Sequence, residues 1–213
     1  MSRRCLVVDL DRCSGCDSCT VACKFENNIG LGNFWNRVIA VGPTGEYPDV
    51  EMYWMPMHCQ QCENAPCIEV CPTGASYRDT DNGVVLIDRE KCIGCQYCLY
   101  ACPYDVRHLN VDEGVMEKCT LCNHLTAQSD GNENPADSRD PAHAVPPCVH
   151  NCSCGARYFG DLDDPNSAAS KAIEAAGGFG SERVHTLTDP GDVKPVCAYI
   201  LSPEIATWKE VGK

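Results

Sequence analysis

Nineteen cysteines in 213 residues constrain this chain more than any other feature, because sixteen of them fall into four spaced groups of four. Cys13, Cys16, Cys19 and Cys23 form a C-x2-C-x2-C-x3-C run, and Cys92, Cys95, Cys98 and Cys102 repeat it. Cys59, Cys62, Cys67 and Cys71 read C-x2-C-x4-C-x3-C. Cys119, Cys122, Cys148 and Cys152 read C-x2-C, a long insert, then C-x3-C. Cys5, Cys154 and Cys197 fall outside the pattern. Cysteine makes up about 9% of the chain, a level that disulfides or metal usually explain. With those thiols set aside, roughly 35% of the residues are apolar, lean for a free-standing core. Bound metal is therefore expected to help hold the fold. The odd cysteine count points away from disulfides. So does the lack of an adequate apolar segment between Arg3-Arg4 and Asp9, which argues against a cleavable signal.

The groups belong to an internal repeat. Asp9, Cys13, Gly15, Cys16, Cys19, Ala22 and Cys23 recur 79 residues later as Asp88, Cys92, Gly94, Cys95, Cys98, Ala101 and Cys102. A second echo sets residues 71–75 (CPTGA) against 152–156 (CSCGA). A fixed offset of this kind indicates a duplicated structural unit. Within each unit the β-branched runs at 6–10 and 84–88 predict strands. Three cysteines follow in a tight loop, where Gly15 or Gly94 is expected to let backbone amides approach a bound group. The third and fourth cysteines, spaced i, i+4, are expected on one face of a short helix that Pro72 or Pro103 stops.

Thiolate ligands select zinc or iron–sulfur clusters among the common metals. Zinc is usually held by two separated C-x2-C pairs. Three cysteines within seven residues suit the corners of a larger cubane instead. Residues 92–103 match the bacterial ferredoxin signature C-x2-C-x2-C-x3-C-P throughout. The chain thus resembles a ferredoxin, and that resemblance implies crossed ligation, the fourth cysteine of each run serving the other cluster. Carried onto this sequence, it assigns Cys13, Cys16, Cys19 and Cys152 to cluster 1, and Cys23, Cys119, Cys122 and Cys148 to cluster 2. Cys59, Cys62, Cys67 and Cys102 then hold cluster 3, and Cys71, Cys92, Cys95 and Cys98 hold cluster 4.

A more specific resemblance rests on residues 58–67 (HCQQCENAPC), 118–122 (KCTLC) and 160–165 (GDLDDP). Over roughly residues 4–167, and more weakly near 194–200, the chain resembles the four-cluster iron–sulfur subunit of molybdopterin oxidoreductases of the dimethyl sulfoxide reductase superfamily. That family includes subunits serving polysulfide, thiosulfate, tetrathionate and arsenate reductases, catechol dehydroxylases and pyrogallol transhydroxylase. The resemblance implies four 4Fe–4S clusters and electron transfer to or from a large molybdenum- or tungsten-bis-pterin catalytic subunit. A membrane anchor subunit or a soluble redox donor would stand at the other end. It also implies an α+β fold of two nested ferredoxin-like modules with short strands, short helices and much loop. The outer module would comprise residues 1–56 plus 108–165, the inserted one 57–107, and a C-terminal helix and tail would occupy 166–213. Two departures stand out: Ser153 replaces the proline often found after the last ligand, and Cys154 offers a rival thiol. A subunit of a hydrogenase or formate dehydrogenase, a free polyferredoxin and a zinc-binding interaction module are the competing readings.

The remaining residues receive blander assignments. Cys5 and Cys197 read as buried small hydrophobes, and Cys154 as a packing residue beside a cluster. His58 and His124 are expected to bond backbone groups, since the thiol count is already complete. Tyr97, Tyr100 and Tyr104 are expected to pack around one motif and limit water there. Residues 123–147 read as a surface loop, and 166–176 as a helix ended by Gly-Gly. No nucleophile–base constellation or phosphate-binding loop is visible, so substrate chemistry is expected on another chain. The formal charge of −13 argues against a nucleic-acid partner. Four clusters would take it to about −21, a charge suited to basic partner surfaces. No apolar run is long enough to span a bilayer. The chain is expected in the cytoplasm, or exported with a signal-bearing catalytic partner and held at the membrane.

Overall fold

A computed structural model describes residues 2–132 and 140–209. Its elements are short. In chain order they are β1 (Arg4–Asp9), α1 (Ser18–Glu26), β2 (Asn36–Glu46), β3 (Asp49–His58), α2 (Pro66–Glu69), β4 (Ser76–Arg78), β5 (Val85–Ile87) and α3 (Tyr97–Tyr100). There follow β6 (His108–Asn110), β7 (Val115–Glu117), α4 (Asn123–Thr126), α5 (Pro147–His150), β8 (Arg157–Asp161), α6 (Ala168–Ala175), β9 (Val184–His185) and β10 (Ala198–Ile200).

The largest sheet runs β8-β1-β10-β9. Its central strand β1 is a continuous apolar run, and Cys5, Leu6, Val7 and Val8 have no exposed surface. Such a run belongs to a strand covered on both faces. Strand β10 pairs with it in parallel and β8 antiparallel. Among the described residues there are also three two-stranded antiparallel sheets: the long hairpin β2–β3, and the short pairs β4–β5 and β6–β7.

The repeat is visible in strand register. In β1–β8, Val8 lies opposite Arg157 and Val7 opposite Tyr158; in β5–β4, Ile87 lies opposite Ser76 and Leu86 opposite Tyr77. The 79-residue offset carries Val8 onto Ile87, and the second echo carries Arg157 onto Ser76. Even the bond that closes each pair is kept. Asp9 N–H donates to Ala156 O, and Asp88 N–H to Ala75 O, both at 2.7 Å.

Three of the four predicted cysteine helices are shorter than expected. Only α1 carries both of its cysteines, Cys19 and Cys23, whereas α2, α3 and α5 end two residues before Cys71, Cys102 and Cys152. Pro72 and Pro103 disfavour helical backbone at the residue before them. The equivalent helix before Ser153 stops at the same place, so proline is sufficient but not required. The segment read as a surface loop carries α4, and Thr126 and Ser129 within it are buried. Their carbonyls accept from the Arg4 guanidinium, which ties the segment to β1. Part of that loop, 133–139, lies outside the described residues.

Helix α6 falls where residues 166–176 predicted it. Ser167 caps it, accepting from Ser170 N–H at 3.2 Å. The tail beyond binds both halves of the repeat. Glu63 N–H and Asn64 N–H donate to Lys194 O and Val193 O, Tyr53 Oη donates to Lys209 O at 2.6 Å, and Trp208 stacks on His185 with ring centroids 4.6 Å apart. Among the described residues no helix is long and apolar enough to cross a membrane.

Candidate metal centres

Each cysteine loop is shaped by left-handed backbone at repeated positions. Gly15 and Gly94 have φ of 68° and 65°, and Asp17 and Gln96, 79 residues apart, have 59° and 64°. In the other two loops Gln61 and Leu121, each two residues past a first cysteine, have 52° and 53°. The glycines are required for a reason beyond the expected one. A Cβ at Gly15 would lie 2.2 Å from the Trp54 ring, and one at Gly94 would lie 2.4 Å from Gly114 O.

All nineteen cysteines are free thiols. Thiols from different sequence groups stand near one another. Cys13, Cys16, Cys19 and Cys152 rim one cavity, and Cys71, Cys92, Cys95 and Cys98 rim another. The Cys23 thiol is pushed up by burial and then by Cys119, Cys148 and Cys122. Cys62 is pushed up by burial and then by Cys59, Cys67 and Cys102. Among the described residues no three Cys, His, Asp or Glu side chains close around a point as a lone ion would need. The thiols of the first and last gatherings reach the surface at Cys16 and Cys95, whereas every cysteine of the middle two is buried. The middle gatherings adjoin, Cys59 being among the charges that raise the Cys119 thiol to about 12, after burial itself.

Donors are aimed at these sulfurs. Ser76 N–H and Ala156 N–H reach Cys71 and Cys152 Sγ at 3.3 Å, and Met116 N–H reaches Cys92 Sγ at the same distance. Asn36 Nδ2 donates to Cys19 Sγ at 3.3 Å. Asn27 Nδ2 lies 3.8 and 3.7 Å from the sulfurs of Cys23 and Cys122, bridging two thiols of one gathering. Arg107, 2% exposed, donates to Cys67 Sγ at 2.8 Å and Ser76 Oγ at 2.9 Å. Arg157, 4% exposed, faces Cys148, Cys19 and Cys119. None of these donors was singled out from sequence. The arginines carried a signal, each standing five residues after the last cysteine of a C-x3-C pair (Cys102 and Cys152).

Other expectations need correction. His58 is fully buried and neither ring nitrogen finds a partner, where a backbone bond was expected; it meets Tyr199 edge-on instead. Burial, with Arg157 nearby, holds its pKa well below the usual imidazole range. His124 bonds Glu26 Oε1 at 2.8 Å rather than backbone, because both side chains lie on the surface with the carboxylate in reach. Tyr100 is 75% exposed and closes no site, whereas Tyr97, 61% exposed, lines the cavity rimmed by Cys71, Cys92, Cys95 and Cys98, and Tyr104 is buried. The helix that carries Tyr97 and Tyr100 has four residues and buries Cys98, which turns Tyr100 outward. Cys5 and Cys197 have no exposed surface, as small buried hydrophobes should. Cys154 lines the first cavity, its Sγ 3.2 Å from Ser14 Oγ.

Comparison with known proteins gives these centres an identity. The family of 4Fe–4S dicluster domains matches residues 50–162. A putative iron–sulfur subunit of dimethyl sulfoxide reductase from Halobacterium salinarum is 42% identical over 92% of this chain and 78% of its own length. A sulfite dehydrogenase subunit of Allochromatium vinosum is 42% identical over 84% of this chain and 77% of its own. The thiosulfate reductase electron transfer subunit of Salmonella typhi is 43% identical over 73% and 74%. The class is therefore that of proteins holding 4Fe–4S clusters through cysteine. The chain belongs, within it, to the family of iron–sulfur electron-transfer subunits of dimethyl sulfoxide reductase-type oxidoreductases.

The buried polar atoms fit such a cofactor. All three guanidinium nitrogens of Arg157, and Nη1 of Arg107, lack an acceptor at hydrogen-bonding geometry among the described residues. A buried cation without an anion is among the costliest features a fold can hold, on the order of 3–5 kcal/mol. Anionic clusters set among the facing thiolates would supply what these donors lack.

Proposed function

We propose that this chain is a four-cluster electron-transfer subunit whose redox partner is a large catalytic subunit carrying molybdenum or tungsten on a bis-pterin cofactor. The observation that carries the reading is the gathering of sixteen thiols as four sets of four. Cys13, Cys16, Cys19 and Cys152 hold cluster 1; Cys23, Cys119, Cys122 and Cys148 cluster 2; Cys59, Cys62, Cys67 and Cys102 cluster 3; Cys71, Cys92, Cys95 and Cys98 cluster 4. Two ferredoxin-like modules are nested, the inner near 57–107 inside flanks that supply the outer.

The arrangement of the thiols supports a linear order, 1-2-3-4. Cys16 and Cys95 are exposed, so the terminal sites lie where a partner can approach, while the eight cysteines of sites 2 and 3 are buried and adjoin through Cys119 and Cys59. Each bound cluster supplies a reversible one-electron step. The chain's own residues do the rest. Thiolates bind, Asn27, Asn36 and backbone N–H groups donate to sulfur, and Val84, Val85, Met116 and Leu121 keep the interior dry. The second partner is a membrane anchor subunit or a soluble donor, and the names of the relatives support a reductase-type complex.

The test is a metal and acid-labile sulfide count on the anaerobically purified complex. About sixteen iron and sixteen sulfide for this chain, with one molybdenum or tungsten per complex after subtracting the partner's own cluster, is the expected result. Nickel in place of molybdenum would move the partner to a hydrogenase. About eight iron would leave two of the four sites without clusters and sink the four-cluster wire.

A further inference from the structure

Each half of the repeat buries one guanidinium between its two thiol gatherings, and the two halves deliver it from opposite elements. In the inner half Arg107, just before β6, donates to Cys67 of site 3 and faces Cys98 of site 4. In the outer half Arg157, at the start of β8, faces Cys19 of site 1 and Cys148 of site 2. The repeat does not map one arginine onto the other. Strand register places Ser76 at the inner position equivalent to Arg157. Asn36, paired across β2–β3 with His58 just before Cys59, occupies the outer position that Arg107 holds before β6. The contacts agree, for Asn36 donates to Cys19 Sγ at 3.3 Å and Arg107 faces Cys98, its counterpart 79 residues on. One half therefore combines Arg107 with Ser76, hydrogen-bonded at 2.9 Å, and the other combines Arg157 with Asn36. Position has been exchanged while the charge count has been kept.

We propose that Arg107 and Arg157 are the potential-setting residues of this electron carrier, each a fixed positive charge shared by the two clusters of its module. The proposal rests on the four-site reading above. A guanidinium stays charged even when buried, so each holds a positive charge beside thiolates in a medium that screens poorly. One added electron makes a cluster more negative, and a nearby cation favours that reduced form. Between sites 2 and 3 stand the uncharged Cys197, which faces Cys59 and Cys119, and the buried Lys118, which acts on Cys67 and Cys119 alike and is left in place in every variant below. Potentials should consequently move in pairs, 1 with 2 and 3 with 4.

The experiment is a reductive titration of the intact complex with dithionite and mediators, followed by electron paramagnetic resonance, after iron and sulfide have been counted. Arg157→Gln should leave the iron count unchanged and lower two midpoints, at least tenfold in the reduced-to-oxidised ratio at fixed potential, or about 59 mV per one-electron step. Arg107→Gln should lower the other two. Arg157→Lys should keep the midpoints near their original values. The double variant Asn36→Arg/Arg157→Ser, which moves the charge to the place the inner half uses, should restore those that Arg157→Gln lowers. Full iron with unshifted midpoints in both Gln variants would overturn the proposal. If Gln variants lose iron, retention in the Lys and exchanged-position variants supports it, and loss in all of them shows a packing role and overturns it. A wild-type complex with too little iron would instead defeat the four-cluster reading and leave its own distinct signature.

Discussion

In the flanks of the chain the strand pair that frames a cysteine loop is widened into the four-stranded sheet β8-β1-β10-β9. In the inner segment the equivalent pair, β4–β5, stands alone with three residues in each strand. The hairpins that lead into Cys59 and Cys119 differ as well: β2 and β3 have eleven and ten residues, β6 and β7 three each. The outer half has an apolar core that does not depend on its thiols, centred on Leu6, Val7, Val8, Phe159 and Tyr199. The inner half has mainly cysteines, Val84, Val85 and a buried arginine. One backbone plan can thus be framed by a wide sheet or by a short strand pair.

The largest way to break this comparison is to remove the metal. Cluster binding contributes folding free energy directly, and a segment with few apolar contacts has little else. Anaerobic chelation should abolish amide-exchange protection across 57–107 while β1, β8 and β10 keep part of theirs. Simultaneous loss in both halves would mean that the sheet too depends on the clusters. Single ligand changes sharpen the contrast. Cys102→Ala and Cys62→Ala should each remove about four iron and the same resonance signal, and Cys71→Ala should share its loss with Cys95→Ala. If Cys102→Ala instead matches Cys95→Ala, ligation is not crossed. The outer counterpart of Cys71 differs, since Cys154 lines the same cavity as Cys152. Cys152→Ala should therefore lose less iron than Cys71→Ala.

The spacing of the cysteines carried most of this in advance. The β-branched runs located both predicted strands, and the spacing marked the tight loops that carry Gly15 and Gly94, because chelation of a cluster by one short loop demands a fixed number of residues. What it could not carry was the surrounding donor set. Asn27 reaches the Cys122 sulfur across 95 residues of sequence, Asn36 and Arg107 reach others, and Arg157 faces Cys19 from far along the chain. Their roles depend on which strand faces which loop, and an arginine beside a cysteine run is otherwise indistinguishable from a surface charge. His58 and Tyr100 failed for a related reason: nearness to a cysteine in sequence says nothing about what a side chain meets.

Smaller effects separate the halves further. Gly15→Ala and Gly94→Ala both place a side chain on left-handed backbone, at about 1–2 kcal/mol. The new methyl at 15 meets a tryptophan side chain that can shift, whereas that at 94 meets the Gly114 carbonyl of the backbone. Iron loss at fixed temperature should accelerate more in Gly94→Ala than in Gly15→Ala, and Trp54→Ala should relieve only the latter. Equal rates would show that the backbone strain alone matters.

Histidines give the mildest contrast, and one of opposite sign. His143, in the loop packed on α4, has a pKa raised by its hydrogen bond to Asp130, 2.9 Å away. A base with a raised folded pKa contributes stability below its unfolded value of about 6.5 and loses it as pH climbs through the folded one. His108, in the hairpin β6–β7, has a pKa lowered by burial and then by Arg37. Its contribution is present above about 6.5 and lost as pH falls below that value. Between pH 5.5 and 8, proteolysis around residues 126–147 should quicken as pH rises, while amide-exchange protection at 108–117, taken relative to the intrinsic rate at each pH, should weaken as pH falls. His143→Gln should flatten the first trend and leave the second. If both segments loosen on the same side of neutrality, these two histidines do not govern them and the pH response of the two halves has a common origin.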